Sequence, residues 1–186
     1  KSQFHKTYII SETDEGIMIT DQHAAHERLV YEKLKKDFFE KKIKTQILLI
    51  PVVIDIDSSV IKNLEKKLEH VCEYGVKMEI FSKTSVIVRE LPHILANCNV
   101  KKLAIDLIEE LVDTDDSKSV ENEINKICSK MACHGSIRAG RDLQVDEMND
   151  LLRKMESTPF SGQCNHGRPT YVELKIDDIE KLFGRK

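Results

Sequence analysis

The side chains best suited to chemistry begin at Asp21-Gln22-His23-Ala24-Ala25-His26-Glu27, directly after the apolar run Ile17-Met18-Ile19. Asp21 stands where a helix N-cap is expected, so the residues after it should be helical. His23 and Glu27 are four apart and would project from one helix face, one turn apart. A carboxylate, an imidazole and a second carboxylate then gather within two turns at the end of a strand, which is half of a metal site. Two later stretches hold further donors: residues 131–140 carry Cys133, and residues 162–170 carry Cys164 and His166. Cys164 and His166, two apart, point the same way in an extended segment. Gly167 and Pro169 would set the turn around them. Thiol and imidazole favour zinc over magnesium or calcium.

Taken singly, these features have ordinary readings as well. His23 with Glu27 is a common helix-face pair, and Cys133 alone reads as a buried core cysteine. His26 lies roughly 60° to 100° from the His23–Glu27 face, at the rim of the site or in solvent. Glu32, five residues past Glu27, is about 140° off that face and reads as a structural or supporting carboxylate rather than a direct ligand. Arg168 and Arg185 suit a phosphate, and Arg168 equally suits a structural carboxylate. Arg138 and Arg141 read first as a solvated charged face and second as a track for DNA backbone. Cys72, Cys98 and Cys128 lack metal spacing and read as core.

Together the three stretches resemble the C-terminal domain of the MutL family of DNA mismatch-repair proteins. Asp21-Gln22-His23-Ala24, Glu27 and Glu32 fit that family's endonuclease signature, DQHA(X)2E(X)4E. ACHGSIRAG (132–140), CNHGRPT (164–170) and the closing Phe183-Gly184-Arg185 follow in family order, so the resemblance covers essentially the whole chain. Asn165 departs from the Pro that many members carry, and His134 from the Lys or Arg that often follows the Cys. The resemblance implies that Asp21, His23, Glu27, Cys133, Cys164 and His166 form a metal site. Asp21, His23 and Glu27 would serve catalysis, with Glu27 the bridging candidate. Arg168, Arg185 and Glu32 would face the phosphate or support the ligands. It further implies a regulatory or structural Zn2+ with a catalytic Mn2+ or Mg2+, two ions about 3.5–4 Å apart that would nick double-stranded DNA by phosphodiester hydrolysis. The expected partners are a second copy of the chain, DNA held weakly, the sliding clamp and the mismatch-recognition protein MutS. The gating ATPase lies elsewhere in such proteins. The alternative is a non-catalytic dimerisation module with a structural zinc. The chain contains no H-E-x-x-H of zinc proteases and no P-C-x-x-C of deaminases.

A further motif stands apart from the ligands. Gln46-Ile47-Leu48-Leu49-Ile50-Pro51 resembles the Q-x-x-[L/I]-x-P peptide that bacterial proteins insert into the sliding clamp. Gln would bond at the pocket mouth, the aliphatic residues would bury, and Pro would limit the entropy lost on docking. A plain edge strand is the competing reading.

The elements that must position these groups follow from periodicity. Residues 6–12 and 16–21 read as strands joined by the polar turn Thr13-Asp14-Glu15-Gly16. A helix from Gln22 carries Leu29, Val30, Leu34 and Phe38 and should fray near Lys41-Lys42. Residues 44–55 are extended, and Pro51 marks an edge position or a connector. A helix over 58–73 stops at Gly75, and 76–81 with 85–90 form a hairpin. Helices follow over 100–113, 119–138 and 145–155, the last capped by Asp142 or Asp146. Residues 158–169 are a loop, then a strand over 170–175 and a final helical turn to Phe183. The fold class is α+β, in two subdomains. The resemblance implies that residues 1–56 and 118–186 form a discontinuous dimerisation and endonuclease subdomain and 57–117 an inserted external one. The chemistry gives a separate reason for a discontinuous unit, because ligands before residue 30 and after residue 130 share a site only if the ends meet.

Composition bounds the function classes. The 186 residues suffice for one sizeable core or two small ones, with 40% hydrophobic and 33% charged residues. Five cysteines without framework spacing suggest a reducing compartment, and the resemblance implies the bacterial cytoplasm. No stretch is long and apolar enough for a membrane span, and no signal peptide is read. The first residue, Lys1, suggests a fragment of a longer protein. A net charge of −3 argues against strong autonomous DNA binding.

Overall fold

The turn at Thr13 closes as its composition requires. The Thr13 N–H donates to the Gly16 carbonyl at 2.9 Å, joining β2 (Tyr8–Glu12) to β3 (Gly16–Asp21) in an antiparallel pair. Gly16 has a second duty: a Cβ there would lie 2.1 Å from the Leu174 carbonyl oxygen, so only glycine lets the last strand approach. The computed structural model describes residues 1–113, 120–136 and 140–185. A strand not expected from sequence, β1 (Ser2–Phe4), precedes β2, which starts at Tyr8 rather than residue 6. Both His5 (φ 50°) and Lys6 (φ 52°) adopt the left-handed region, and the Thr7 N–H bonds the Phe4 carbonyl. This is a primed hairpin turn made without the usual Asn-Gly signal.

The first sheet runs β1-β2-β3-β7, with β7 (Tyr171–Lys175) antiparallel to β3. One face carries Ile9 and Met18, which pack with Ala25 and Leu29 of α1 (Gln22–Phe39) and with Leu143, Met148, Leu151 and Met155, the last three from α5 (Val145–Ser157). The register sets Ile10 opposite Ile19 and Ile19 opposite Val172, so the other face is also apolar. There Phe4, Tyr8, Val172 and Leu174 are exposed. The α5 cap differs from expectation. Gln144 and Glu147 form a reciprocal capping box, whereas Asp142 pairs with Lys6 at 2.6 Å.

A second sheet runs β4-β6-β5. β4 (Thr45–Asp55) is an edge strand, paired to β6 (Ser85–Pro92), and β5 (Lys77–Ser82) lies on the other side. With it go α2 (Ser58–Glu73), α3 (Val100–Asp113) and α4 (Val120–Gly135), whose buried stripes include Leu64, Leu68, Val71, Leu107 and Ile127. Asp57 caps α2, bonding the Ser59 N–H at 2.8 Å, and Gly75 follows its end at φ 79°. Cys128 is buried and Cys98 half-buried, but Cys72, in the last turn of α2, is exposed rather than core. Helix α6 (Ile176–Leu182) is the last element among the described residues. Among the described residues, no helix is long and apolar enough to cross a membrane.

The chain divides into two compact units, residues 1–32 with 136–186, and residues 33–135. A discontinuous unit built from both ends agrees with the α+β, two-part reading. The sequence-based bounds at 56/57 and 117/118 differ from these. Residues 33–56 group with the central unit because β4 finds its ladder partner in β6, and α4 joins it by packing on α3.

Candidate functional site

Asp21 caps α1 as its position suggests, its Oδ1 accepting the Ala24 N–H at 3.0 Å. The same residue anchors the far end of the chain, for the Asp21 N–H donates to the Thr170 carbonyl at 2.8 Å. The loop bearing Cys164 and His166 is thereby tied to the start of the helix bearing His23 and Glu27. The loop itself is closed by nested backbone bonds. Cys164 N–H donates to the Arg168 carbonyl at 2.7 Å, Gly167 N–H to the Cys164 carbonyl at 3.0 Å, and Thr170 N–H to the Gly162 carbonyl at 3.1 Å. Gly167, at φ 78°, supplies the left-handed residue this turn needs.

Glu27 is only 4% exposed. A carboxylate so placed needs partners. Asn165 Nδ2 donates to its Oε1 at 3.1 Å. His23 Nε2 is 3.9 Å from Oε2, and His166 Nδ1 is 4.0 Å from Oε1. Ser136 Oγ lies 3.2 Å from His23 Nδ1, within hydrogen-bonding distance of that ring. Cys164 is buried, and its Sγ accepts the His166 N–H at 3.4 Å. The structure thus brings His23, Glu27, Cys164 and His166 into one neighbourhood, and Asn165, which the sequence marks only as a departure from the family pattern, joins them.

In type, these donors fit zinc or another transition metal. Their spacing is open. Two donors sharing one tetrahedral zinc stand about 3.3 Å apart, given bonds of about 2.0–2.1 Å, and both Glu27–imidazole separations exceed this. Among the described residues, no group of three or more His, Cys, Asp and Glu side chains is near enough to hold an ion.

The other sequence candidates fall as follows. Cys133 is on α4 and exposed, not the core cysteine that it reads as alone. The buried stripe of α4 runs Ile124, Ile127, Cys128 and Met131, and Cys133 is about 200° past Met131. Its neighbour His134 bonds Asp106 at 2.8 Å. Glu32 is ion-paired with Arg28, whose guanidinium also lies 5.2 Å from the Tyr31 ring centroid and 5.8 Å from that of Phe160. Arg168 and Arg185 are exposed, and neither forms an ion pair among the described residues. Arg141 pairs with Glu147, and Arg138 lies outside the described residues. His26 is half-buried, and its pKa falls to about 4 through burial first and then the positive fields of Lys154, His23 and Arg141. Its ring is neutral at physiological pH.

The segment Gln46–Pro51 breaks the β4 ladder. Pairing with β6 runs through Ile47 and resumes at Val52, so residues 48–51 form an irregularity around Pro51. Leu49 is 98% exposed, and Ile47 and Ile50 are also exposed. Gln46 Oε1 lies 3.2 Å from His93 Nδ1.

Comparison with known proteins agrees with the motifs. The family model described as the MutL C terminal dimerisation domain matches residues 1–143. The chain is 48% identical over all its 186 residues to the DNA mismatch repair protein MutL of Rhodopseudomonas palustris strain BisA53. The MutL proteins of Nitrobacter winogradskyi and Bradyrhizobium diazoefficiens are likewise 48% identical over the full chain. The chain covers 31% of the length of each of these relatives.

Proposed function

Since the chain belongs to the MutL C-terminal dimerisation domain family, we propose that it is the homodimerising, metal-dependent DNA-nicking part of a mismatch-repair protein. The observation that carries the nicking reading is the buried Glu27 carboxylate, flanked by His23 and His166 on a framework that ties residue 21 to residue 170. Asp21, His23, Glu27, Cys164 and His166 would hold the ions. A zinc with Mn2+ or Mg2+ would supply an activated water and charge stabilisation of the leaving oxygen of a phosphodiester.

The protein's own residues do the rest. Glu27 offers an oxygen to each imidazole side and suits a bridging role. Asn165 fixes the orientation of that carboxylate, and Ser136 that of the His23 ring. Arg168, exposed on the ligand loop, and Arg185 would meet the phosphate, for which a guanidinium fork is well shaped. The apolar outer face of the first sheet, with Phe4, Tyr8, Val172 and Leu174, supports homodimerisation, since such a face is stable when a second copy covers it. The exposed Leu49 and Ile50 beside Gln46 support docking to a sliding clamp, which would deliver DNA to a domain of charge −3. MutS and the ATPase part of the full-length protein would gate incision.

A second reading, a non-catalytic dimerisation module with structural zinc, draws on two observations. The Glu27–imidazole spacings are open, and Asp21 Oδ1 is engaged as a helix cap. The deciding experiment is nicking of supercoiled plasmid in Mn2+ by the full-length protein with its clamp, comparing wild type and Glu27→Lys. Nicking by wild type alone, with both proteins dimeric in sedimentation, upholds the nuclease. A dimeric wild type that never nicks leaves the second reading.

A further inference from the structure

The two polar atoms of the Asn165 side chain are in different circumstances. Nδ2 donates to Glu27 Oε1 at 3.1 Å. Oδ1 is buried and has no hydrogen-bond partner among the described residues. Turning the amide over does not cure this, because Oδ1 would then oppose a carboxylate oxygen and a donor would be buried unpaired instead. Buried acceptors rarely stay without a partner, and this one belongs to the side chain that holds the central carboxylate. Amide carbonyl and carboxylate oxygens are hard donors that suit Mn2+ or Mg2+, whereas the Cys164 thiol and the His23 and His166 imidazoles are softer. The neighbourhood therefore mixes hard donors, Glu27 and Asn165, with softer ones.

We propose that Asn165 is a positioning residue and an oxygen donor of the metal centre, orienting Glu27 through Nδ2 and biasing one ion position toward a hard divalent cation through Oδ1. This rests on the reading of the Glu27 neighbourhood as metal-binding. It adds a residue to the set and assigns it to one class of ion.

The test measures ion binding by the full-length protein as wild type, Asn165→Ala, Asn165→Asp and Glu27→Ala. Mn2+ is read by the paramagnetic resonance signal of the free ion, and Zn2+ by competition with a chromophoric chelator. Asn165→Ala is expected to weaken Mn2+ about tenfold and Zn2+ less than about threefold. Asn165→Asp, which keeps an oxygen but gives up the Nδ2 donor to Glu27, isolates the oxygen-donor role and is expected to hold Mn2+ within about threefold of wild type. Glu27→Ala is expected to lose Mn2+ binding altogether. Unchanged Mn2+ affinity in Asn165→Ala, or equal loss of both ions, overturns the role of Asn165 and leaves the metal reading in place. Wild type that takes up neither ion overturns both. Melting temperatures identify a variant that misfolds. If Asn165→Ala does so, Asn165→Asp decides: loss of Mn2+ affinity beyond about tenfold contradicts the proposal, and retention supports it.

Discussion

The Glu27 neighbourhood and the Gln46–Pro51 segment break the ordinary rule of burial in opposite directions. At the first, a carboxylate is buried among imidazoles and an amide. At the second, three of four consecutive aliphatic side chains stand in solvent on an edge strand. Each would cost stability if it served nothing. What they share is local scaffolding that keeps the exception in place. The first has a helix cap and a loop closed by backbone bonds. The second has an interrupted ladder anchored on both sides. A buried polar group points to a ligand that enters, and an exposed apolar run points to a surface that the protein is brought to.

The sharpest break in this comparison contrasts two leucines of the same sheet. Leu91→Ala, at a site 1% exposed, should cost about 3 kcal/mol in urea unfolding, whereas Leu49→Ala should stay within about 0.5 kcal/mol. A large cost at Leu49 would mean that the segment is packed and not displayed. Next in size is the outer sheet face: Leu174→Asp should weaken the dimer at least about a hundredfold in sedimentation equilibrium. A dimer unchanged by it would move the interface elsewhere. Then comes Leu49→Asp, which should weaken clamp binding by about thirtyfold in surface plasmon resonance without altering the melting temperature. The smallest effect is expected at Glu32→Gln. It removes the half-buried pair with Arg28 and should cost about 1 kcal/mol or less, with nicking within about threefold of wild type. A collapse of nicking there would make Glu32 a functional carboxylate beside Glu27 rather than a structural one.

Much of this was legible in the residues. Asp21 read as a cap because a short acceptor before an amphipathic run has few other uses, and Oδ1 does bond Ala24. Pro51 read as an edge or connector because it cannot donate to a ladder, and pairing lapses around it. Other features had no local signal. The hairpin at His5-Lys6 uses left-handed residues of types that do not favour that conformation, so nothing local signals β1. Gln144 is an unusual N-cap that works through Glu147, and Asp142 is drawn instead to Lys6. The unit bounds shifted because pairing of β4 with β6 is a non-local event that no window around residue 56 contains. At the site, spacing along the chain indicated which donors exist. That Asn165, next to two of them, would grip Glu27 depends on the loop's closure by Arg168 and Gly162, which only the folded chain displays.

The most direct measurement crosses the two regions. Full-length wild type, Glu27→Lys and Leu49→Asp would each be assayed for Mn2+-dependent plasmid nicking, with and without the clamp. Glu27→Lys is expected to nick under neither condition. Leu49→Asp is expected to keep the clamp-independent rate of wild type and to lose the stimulation. Nicking by dimeric Glu27→Lys at the wild-type rate would place the chemistry away from the buried carboxylate.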